Sequence, residues 1–275
     1  MSVSLPRTLD ELWPLLEDPW TRIMAGGTDL LVRRRAGLLP GPICCLERIA
    51  PLRGVSMDGD VRIGAATTLT ELLENTDIAQ RLPALHHSIR QLGSPLVRNQ
   101  ATLGGNICTA SPAGDTLPAL YVLEARLELA SRTATRTVPI QDFITGPGQT
   151  LLEPGEILSA IRIPLPLADS TQCFEKVGRR RALAISVASL AAMFRLTGKT
   201  VREIRLAFGS LGPTVLRCPE AEHWLTGREL TPDNLRHAAG MVRQSVRPIS
   251  DVRATADYRR QVAGNLMLRL EACLP

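Results

Sequence analysis

Aromatic residues make up only 3% of this 275-residue sequence, and long apolar runs are missing. No stretch reaches the roughly 20 consecutive apolar residues with which a helix spans a bilayer. The N-terminal segment carries acidic residues and prolines, where a secretory signal needs a basic start and a smooth apolar stretch. The sequence therefore predicts a soluble, cytoplasmic protein with no membrane span, made of one large or two ordinary domains.

The six cysteines lack the spacing of a metal site, because the sequence has no CxxC pair and no paired Cys/His spacing. Zinc and iron–sulfur centres need three or four converging ligands, which usually stand close together in the sequence. In a chain without an export signal, such cysteines are typical of reduced and mostly buried thiols. We therefore predict that this chain itself holds no metal.

The net charge of +5 rests almost wholly on arginine, because Lys176 and Lys199 are the only lysines among the 32 basic residues. The arginines are spread along the chain, and the two clusters, Arg33–Arg35 and Arg179–Arg181, have three residues each. Proteins that bind single strands also need aromatic side chains on which bases stack. The composition therefore disfavours nucleic acid and favours a basic face for a partner subunit or an anionic cofactor.

Several common catalytic and nucleotide-binding motifs are absent. No GxGxxG follows a predicted strand, which disfavours a Rossmann dinucleotide fold. The run Thr197–Thr200 (TGKT) resembles the end of a P-loop, but Met193 stands where that loop needs its first glycine. The run is therefore predicted to be a hairpin turn. His86 and His87 have no carboxylate or cysteine at ligand spacing, so they are not predicted to bind a metal.

Local patterns predict alternating helices and short strands up to about residue 163. Pro164, Pro166 and Asp169 then mark a boundary. The segment 93–116 is dense in Gly, Ser, Thr, Asn and Pro and poor in regular pattern. It is predicted to be either a long functional loop or a stretch whose helices or strands the pattern does not reveal. Beyond the boundary we predict three strands and then three helices, over 174–177, 187–196, 201–208, 219–225, 231–246 and 256–272.

Two turns with paired glycines carry the strongest functional signal. The first is Ala25–Asp29 (AGGTD), between a predicted strand and helix, and the second is Thr102–Asn106 (TLGGN), inside the long loop. Glycine pairs permit positive φ and let backbone N–H groups approach an oxyanion closely. Two such turns suit a ligand with two adjacent phosphates, and Asp115 suits a sugar hydroxyl. Ordinary tight turns, with Asp115 as a helix N-cap, remain the alternative.

Two longer segments then resemble a known family. Met24–Leu31 (MAGGTDLL) and Arg98–Leu120 (RNQATLGGNICTASPAGDTLPAL) are similar to the two FAD-binding signatures of the flavoprotein subunit of the xanthine dehydrogenase and carbon monoxide dehydrogenase family. These enzymes are molybdenum hydroxylases. The similarity continues through Ile63–Thr68 and Phe174–Val177, and through Ala207–Thr214 into the last hundred residues. It therefore covers nearly the whole chain.

The resemblance implies an α+β fold. A two-lobed FAD-binding domain of the vanillyl-alcohol-oxidase (PCMH) type would occupy 1–168, with lobes of about 1–54 and 55–168. A small C-terminal domain, with a three-stranded antiparallel sheet and helices, would occupy 172–275. FAD would lie extended between the lobes.

The resemblance also implies which residues bind FAD, and it assigns no catalytic residue. The pyrophosphate would be wrapped by Ala25, Gly26, Gly27, Thr28 and Asp29 and by Thr102, Gly104 and Gly105. Their neighbours Met24, Leu30 and Ala101 would also bind the cofactor. Asn106, Ser111 and Asp115 would hold the phosphate–ribityl region. Ile63 and Gly64 would approach the flavin ring, and Ile157 and Leu158 would contact the adenine side.

The activity that the resemblance implies is that of an oxidoreductase subunit in a hetero-oligomer. Electrons would come from 2Fe-2S clusters on a small partner subunit, pass through FAD and leave to an acceptor such as NAD, oxygen or a quinone-type carrier. Molybdopterin would sit on a large partner subunit, where the substrate is oxidised. A flavin-free scaffold or assembly subunit and a stand-alone FAD-dependent reductase are the alternatives.

The sequence departs from some relatives at one position near the predicted flavin. They carry a lysine by the pyrimidine edge in the segment that here is Ala184–Ser186. Serine is a weaker donor, so the flavin potential and NAD as acceptor are open. The branch that includes 4-hydroxybenzoyl-CoA reductase has a cysteine-bearing insert for a 4Fe-4S cluster. No four clustered cysteines occur here, which argues against that branch.

Overall fold

The computed structural model describes residues 2–180 and 183–274. Arg181, the last residue of the second arginine cluster, lies outside the described residues. The strands are β1 Val3–Ser4, β2 Arg22–Met24, β3 Ile43–Cys45, β4 Val55–Asp58, β5 Asp60–Gly64, β6 Arg126–Ala130, β7 Thr135–Pro139, β8 Ile144–Gly146, β9 Gln149–Thr150, β10 Ile157–Pro164, β11 Ser170–Gly178, β12 Ser186–Thr197, β13 Thr200–Gly209 and β14 Leu216–Arg217.

The α-helices are α1 Leu9–Leu12, α2 Leu30–Arg35, α3 Leu69–Glu74, α4 Thr76–Arg81, α5 Pro83–Gln91, α6 Pro95–Arg98, α7 Leu103–Thr109, α8 Thr116–Val122, α9 Ile140–Phe143, α10 Pro219–Leu225, α11 Pro232–Ser245 and α12 Ala256–Leu268. Short 3₁₀ helices cover Trp13–Leu16, Ala50–Leu52 and Arg269–Cys273. Among the described residues, no helix is long and apolar enough to cross a membrane.

The chain divides into two compact units. The first comprises Met1–Glu74, Ser94–Ala110 and Ala125–Pro164, and the second comprises Asn75–Gly93, Ser111–Glu124 and Leu165–Pro275. Two stretches that precede the predicted boundary are therefore grouped with the C-terminal residues. The predicted domain limits, 1–168 and 172–275, remain a prediction.

The first unit contains two main sheets. Three parallel strands form the smaller sheet in the order β1-β3-β2, and α2 connects β2 to β3 as the glycine turn predicted. Five antiparallel strands form the larger sheet in the order β4-β5-β10-β6-β7. Apolar side chains that include Leu12, Leu46, Ile49 and Ile157 pack into one buried cluster of this unit.

The second unit is built on an antiparallel sheet in the order β11-β12-β13-β14. Nine successive residues of β12, beginning at Ser186, are buried, and both α8 and α12 pack against this strand. A central strand that is buried along its length carries a continuous apolar run rather than an alternating pattern. The three predicted strands are all present, and the two-residue edge strand β14 adds a fourth.

Of the two interpretations of 93–116, the long loop is wrong, because two helices lie within the segment. Ser94 caps α6 by accepting the Val97 N–H at 3.2 Å, and Thr102 caps α7 by accepting the Gly105 N–H at 3.0 Å. The sequence of α7, LGGNICT, is poor in helix-forming residues, so propensity argued against a helix. The cap and the packing of α7 against the rest of its unit override that weak preference.

Candidate functional site

The first glycine turn lies between β2 and α2, and its glycines are required by the backbone. Gly27 has φ of +70°, a conformation that side chains other than glycine rarely adopt. A Cβ atom at Gly26 would overlap the carbonyl oxygen of Gln100, so only glycine lets the turn run against that segment. In residues 2–180 and 183–274, the N–H groups of 26–29 have no acceptor. They are available to a ligand.

The second glycine turn is the first turn of α7, and its N–H groups are already used. The Leu103 N–H donates to the Thr67 carbonyl at 3.2 Å, and the Gly104 N–H donates to the Ala65 carbonyl at 2.9 Å. The Gly105 N–H donates to Thr102 Oγ1 at 3.0 Å. These amides fix α7 within its own unit. The second turn therefore contributes small residues, and the open donors belong to the first turn.

The two turns meet within the first unit, although 78 residues separate them in the sequence. A Cβ atom at Gly105 would lie 2.9 Å from Thr102 Oγ1 and 4.0 Å from the Cβ atom of Ala25. Gly105 therefore faces the first turn with little else beside it. By contrast, a Cβ atom at Gly104 would lie 2.6 Å from the carbonyl oxygen of Ala65. Gly104 is required by packing, whereas Gly105 borders open space next to Ala25.

The other predicted residues of the first unit are mostly inside the protein. Ile63 is fully buried in β5, and Ile157 is packed in the apolar cluster that includes Leu12. Gly64 lies opposite Ala160 in β10, and Leu158 is 4% exposed. Their predicted contacts with the flavin and adenine remain predictions, as do those of the half-buried Met24, Leu30 and Asn106 and of the buried Ala101.

Asp115 and Lys176 form a buried ion pair in the second unit. Their side chains are 8% and 5% exposed, and Lys176 Nζ lies 2.5 Å from Asp115 Oδ2. Lys176 Nζ also donates to the Gln91 carbonyl at 3.1 Å. Asp115 stands at the N-cap position of α8, as the alternative interpretation expected, but its side chain accepts no capping hydrogen bond. Ser111, four residues earlier, accepts the Ala113 N–H at 3.3 Å.

The second oxygen of Asp115 is buried and unpaired. Oδ1 has no hydrogen-bond partner in the described part of the chain. Burial raises the pKa of Asp115 to about 6, although the charge of Lys176 and its hydrogen bond act in the opposite direction. A buried acceptor without a donor costs free energy comparable to a lost hydrogen bond. A donor supplied by a ligand would satisfy Oδ1.

Sequence reasoning did not assign Lys176 to the site. The available signal was its rarity, because the chain uses lysine only twice and places this one within a strand, between Glu175 and Val177. Ser186, in the segment where some relatives carry a lysine, resembles Asp115 in having a buried side-chain oxygen without a partner. Ser186 is 1% exposed, and no described residue hydrogen-bonds to its Oγ.

Each unit by itself offers groups of a kind that FAD binds. Free N–H groups in the first turn suit phosphate oxygens, and the unpaired Asp115 Oδ1 suits a hydroxyl donor. No three His, Cys, Asp or Glu side chains converge as metal ligands among the described residues.

Comparison with known protein families matches both parts of the chain. Residues 1–166 match the FAD binding domain in molybdopterin dehydrogenase, and residues 172–272 match the CO dehydrogenase flavoprotein C-terminal domain. The chain is 36% identical over 249 residues to the xanthine dehydrogenase FAD-binding subunit of Escherichia coli O157:H7. The aligned region covers 89% of this chain and 85% of that protein. The chain is also 33% identical over 251 residues to the carbon monoxide dehydrogenase medium chain of Hydrogenophaga pseudoflava, covering 90% and 87%.

Solved structures give the same family. A chain of the carbon monoxide dehydrogenase from Hydrogenophaga pseudoflava superposes with a TM-score of 0.95 at 31% identity, covering 99% of this chain and 96% of that one. A chain of quinoline 2-oxidoreductase from Pseudomonas putida 86 also gives 0.95, at 27% identity and the same coverage. The protein therefore belongs to the family of FAD-binding medium subunits of xanthine and carbon monoxide dehydrogenases, oxidoreductase complexes in which this subunit binds FAD.

Proposed function

We propose that this chain passes electrons from 2Fe-2S clusters on a small partner subunit to an acceptor such as NAD or oxygen. The substrate of the complex would be oxidised at molybdopterin on a large partner subunit. FAD supplies the redox chemistry when it is bound, and the protein supplies binding, orientation and electrostatics. A location in the cytoplasm and the identity of the final acceptor remain predictions.

The observation that carries this proposal is the open set of donors in the first glycine turn. The N–H groups of 26–29 lack protein acceptors, and the turn lies against the backbone of Gln100 and beside Gly105. We propose that these N–H groups bind the pyrophosphate and that Gly105 leaves room for it. Thr28 is exposed and adds a hydroxyl donor to the same turn.

In the second unit, we propose that Asp115 Oδ1 accepts a hydroxyl of the ribityl chain. Lys176 holds the other oxygen at 2.5 Å and so orients the carboxylate. Lys176 acts on the cofactor through this orientation. Ser111 remains a predicted contact of the same region.

The test of the binding site is Gly105→Val in the purified chain, with Gly240→Val as the matched control. Gly240 lies in α11, where a Cβ atom would meet nothing within 4 Å. We expect FAD per protein chain, read from flavin absorbance after heat release, to fall at least about tenfold at Gly105, equivalent to about 1.4 kcal/mol. The control should keep its FAD. Full flavin occupancy in a folded Gly105→Val protein would refute this part of the proposal.

The test of the electron path uses the complex purified from its native host through a tag on this chain. Iron and molybdenum should co-purify with the wild type and with Gly105→Val, because that side chain faces the first turn. Substrate should still reduce the clusters of the variant complex, but reoxidation by the acceptor should be lost. An unchanged rate of acceptor reduction in the FAD-depleted complex would instead support a scaffold role for this chain.

A further inference from the structure

Two cysteines that are far apart in the sequence belong to elements that pack together in the second unit, and Cys273 packs against the buried cluster that includes Cys173. Cys173 lies in β11, and Cys273 ends the 3₁₀ helix Arg269–Cys273, which packs against that strand. An ion pair between Arg269 and Glu175, at 3.6 Å, ties the same two elements together. Cys173 is 8% exposed, whereas Cys273 is half-buried and reached by solvent. Neither cysteine is part of a disulfide.

The two thiols are unequal in a way that suits redox chemistry. A hydrogen bond with Cys173, helped by the positive charge of Arg269, lowers the pKa of Cys273. The same hydrogen bond, together with burial, raises the pKa of Cys173. A thiol with a lowered pKa that solvent can reach is the more reactive one, and sensor cysteines are often placed next to a second thiol that resolves them.

Three of the other cysteines differ from Cys273 in the direction in which their pKa is shifted. Burial raises the pKa of Cys44 to about 11 and that of Cys108 to about 12. The Cys45 pKa is raised by the same cause. Thiols held protonated in this way are poor nucleophiles. Reactivity toward an oxidant should therefore concentrate at Cys273.

We propose that Cys173 and Cys273 form a peroxide-sensitive dithiol that closes to a reversible disulfide. Hydrogen peroxide oxidises the Cys273 sulfur to a sulfenic acid and releases one water. The Cys173 sulfur then attacks the Cys273 sulfur, the S–O bond breaks, and a second water leaves with the thiol proton. Two thiols and one peroxide thus give one disulfide and two waters, and a small thiol reductant reverses the bond by exchange.

The disulfide would join the C-terminal helix to β11. It would close a loop of about 100 residues, and a cross-link over a loop of that length strongly restricts the unfolded chain. The oxidised protein should therefore melt at a higher temperature than the reduced protein, by about 5 °C or more.

The experiment treats the reduced full-length protein with one equivalent of hydrogen peroxide and measures the intact mass. We expect a loss of two hydrogen atoms, a non-reducing peptide map that links the peptides of Cys173 and Cys273, and return of both thiols on reduction. Cys173→Ala should stop at a sulfenic acid on Cys273 that dimedone traps. Cys273→Ala should form no cross-link.

Cys218→Ala serves as the matched control, because Cys218 is buried and lies outside the pair. Its Sγ accepts a hydrogen bond from the Ser245 hydroxyl at 3.4 Å. The Cys218→Ala protein should form the disulfide as readily as the wild type. An unchanged thiol count after peroxide, a cross-link between other cysteines, or stable over-oxidation of Cys273 without a cross-link would each overturn the proposal. Peptide mapping reports the bond itself, so a change in stability of one variant does not affect the conclusion.

Discussion

Lys176→Met tests the electrostatics of the buried pair in the second unit. Methionine keeps most of the volume of the lysine chain and removes the cation. Asp115 Oδ1 has no partner to begin with, and Oδ2 loses the N–H donor that lies 2.5 Å away. Removing one partner of a buried ion pair typically costs about 3–5 kcal/mol, because an uncompensated charge stays behind. We expect a loss of that size near pH 8.

The loss should depend on pH, and its sign follows from Asp115. Its pKa is about 6 with Lys176 present, above its ordinary 3.8, because burial outweighs the cation. Without Lys176 that pKa rises further. A carboxyl whose folded pKa is raised binds its proton more tightly in the folded state, so stability increases as pH falls through the folded pKa. The loss in free energy of unfolding should therefore be smaller at about pH 6 than at about pH 8.5. The difference should be about 1.4 kcal/mol for each unit by which the substitution raises the pKa of Asp115.

The measurement is the free energy of unfolding in urea for flavin-free protein at about pH 8.5 and pH 5.5. Lys199→Met is the matched control, since the other lysine of the chain is exposed in the β12–β13 turn. Its effect should stay within about 0.5 kcal/mol. Replacing both partners, by Asp115→Leu with Lys176→Met, should recover most of the stability. An equal deficit at both pH values would show that Asp115 is not the group left unpaired.

Two further predictions concern the acid limit and the first turn. Hydrogen bonds from the Arg253 N–H and from buried Arg259 lower the pKa of Asp251 to about 2, so its stabilisation is full above about pH 4 and lost as pH falls toward 2. In Asp251→Asn, the melting temperature should therefore depend less on pH over that range. An unchanged dependence would mean that other groups cause the loss of stability in acid. Gly27→Ala should cost about 1 kcal/mol or more by urea unfolding, because φ is +70°. Gly37→Ala is the control, because Gly37 has φ of +76° and a Cβ atom there would meet nothing within 4 Å. Its cost measures the backbone strain alone.

The parts of the fold that local signals encode were predictable. Thr231 with Pro232 marked the start of α11, and the Thr231 hydroxyl accepts the Asn234 N–H there. The Thr197–Thr200 run joins β12 to β13 as a hairpin, as predicted. Caps, turns and apolar periodicity act over a few residues, so one sequence is enough to find them.

The helix α7 was not predictable from such signals, because its cause is tertiary. Two glycines and two β-branched residues weaken the helix. Besides the Thr102 cap, it is held by the hydrogen bond from the Gly104 N–H to the carbonyl of Ala65, which lies 39 residues earlier. The edge strand β14 is similar, since two residues become a strand only because β13 is beside them. Interactions across such separations leave no local trace.

The site was predictable as a pair of turns, but the role of each glycine was not. Sequence alone gave Gly26, Gly104 and Gly105 one role, close approach to a phosphate. The structure separates them, because Gly26 and Gly104 pack against backbone and would unfold their surroundings if substituted. Gly105 borders Ala25, and the neighbour within 3 Å of a new side chain is the Thr102 hydroxyl, a single side-chain atom and not backbone. Loss of FAD at Gly26 or Gly104 would therefore report misfolding, whereas loss at Gly105 in a folded chain reports the cofactor site itself.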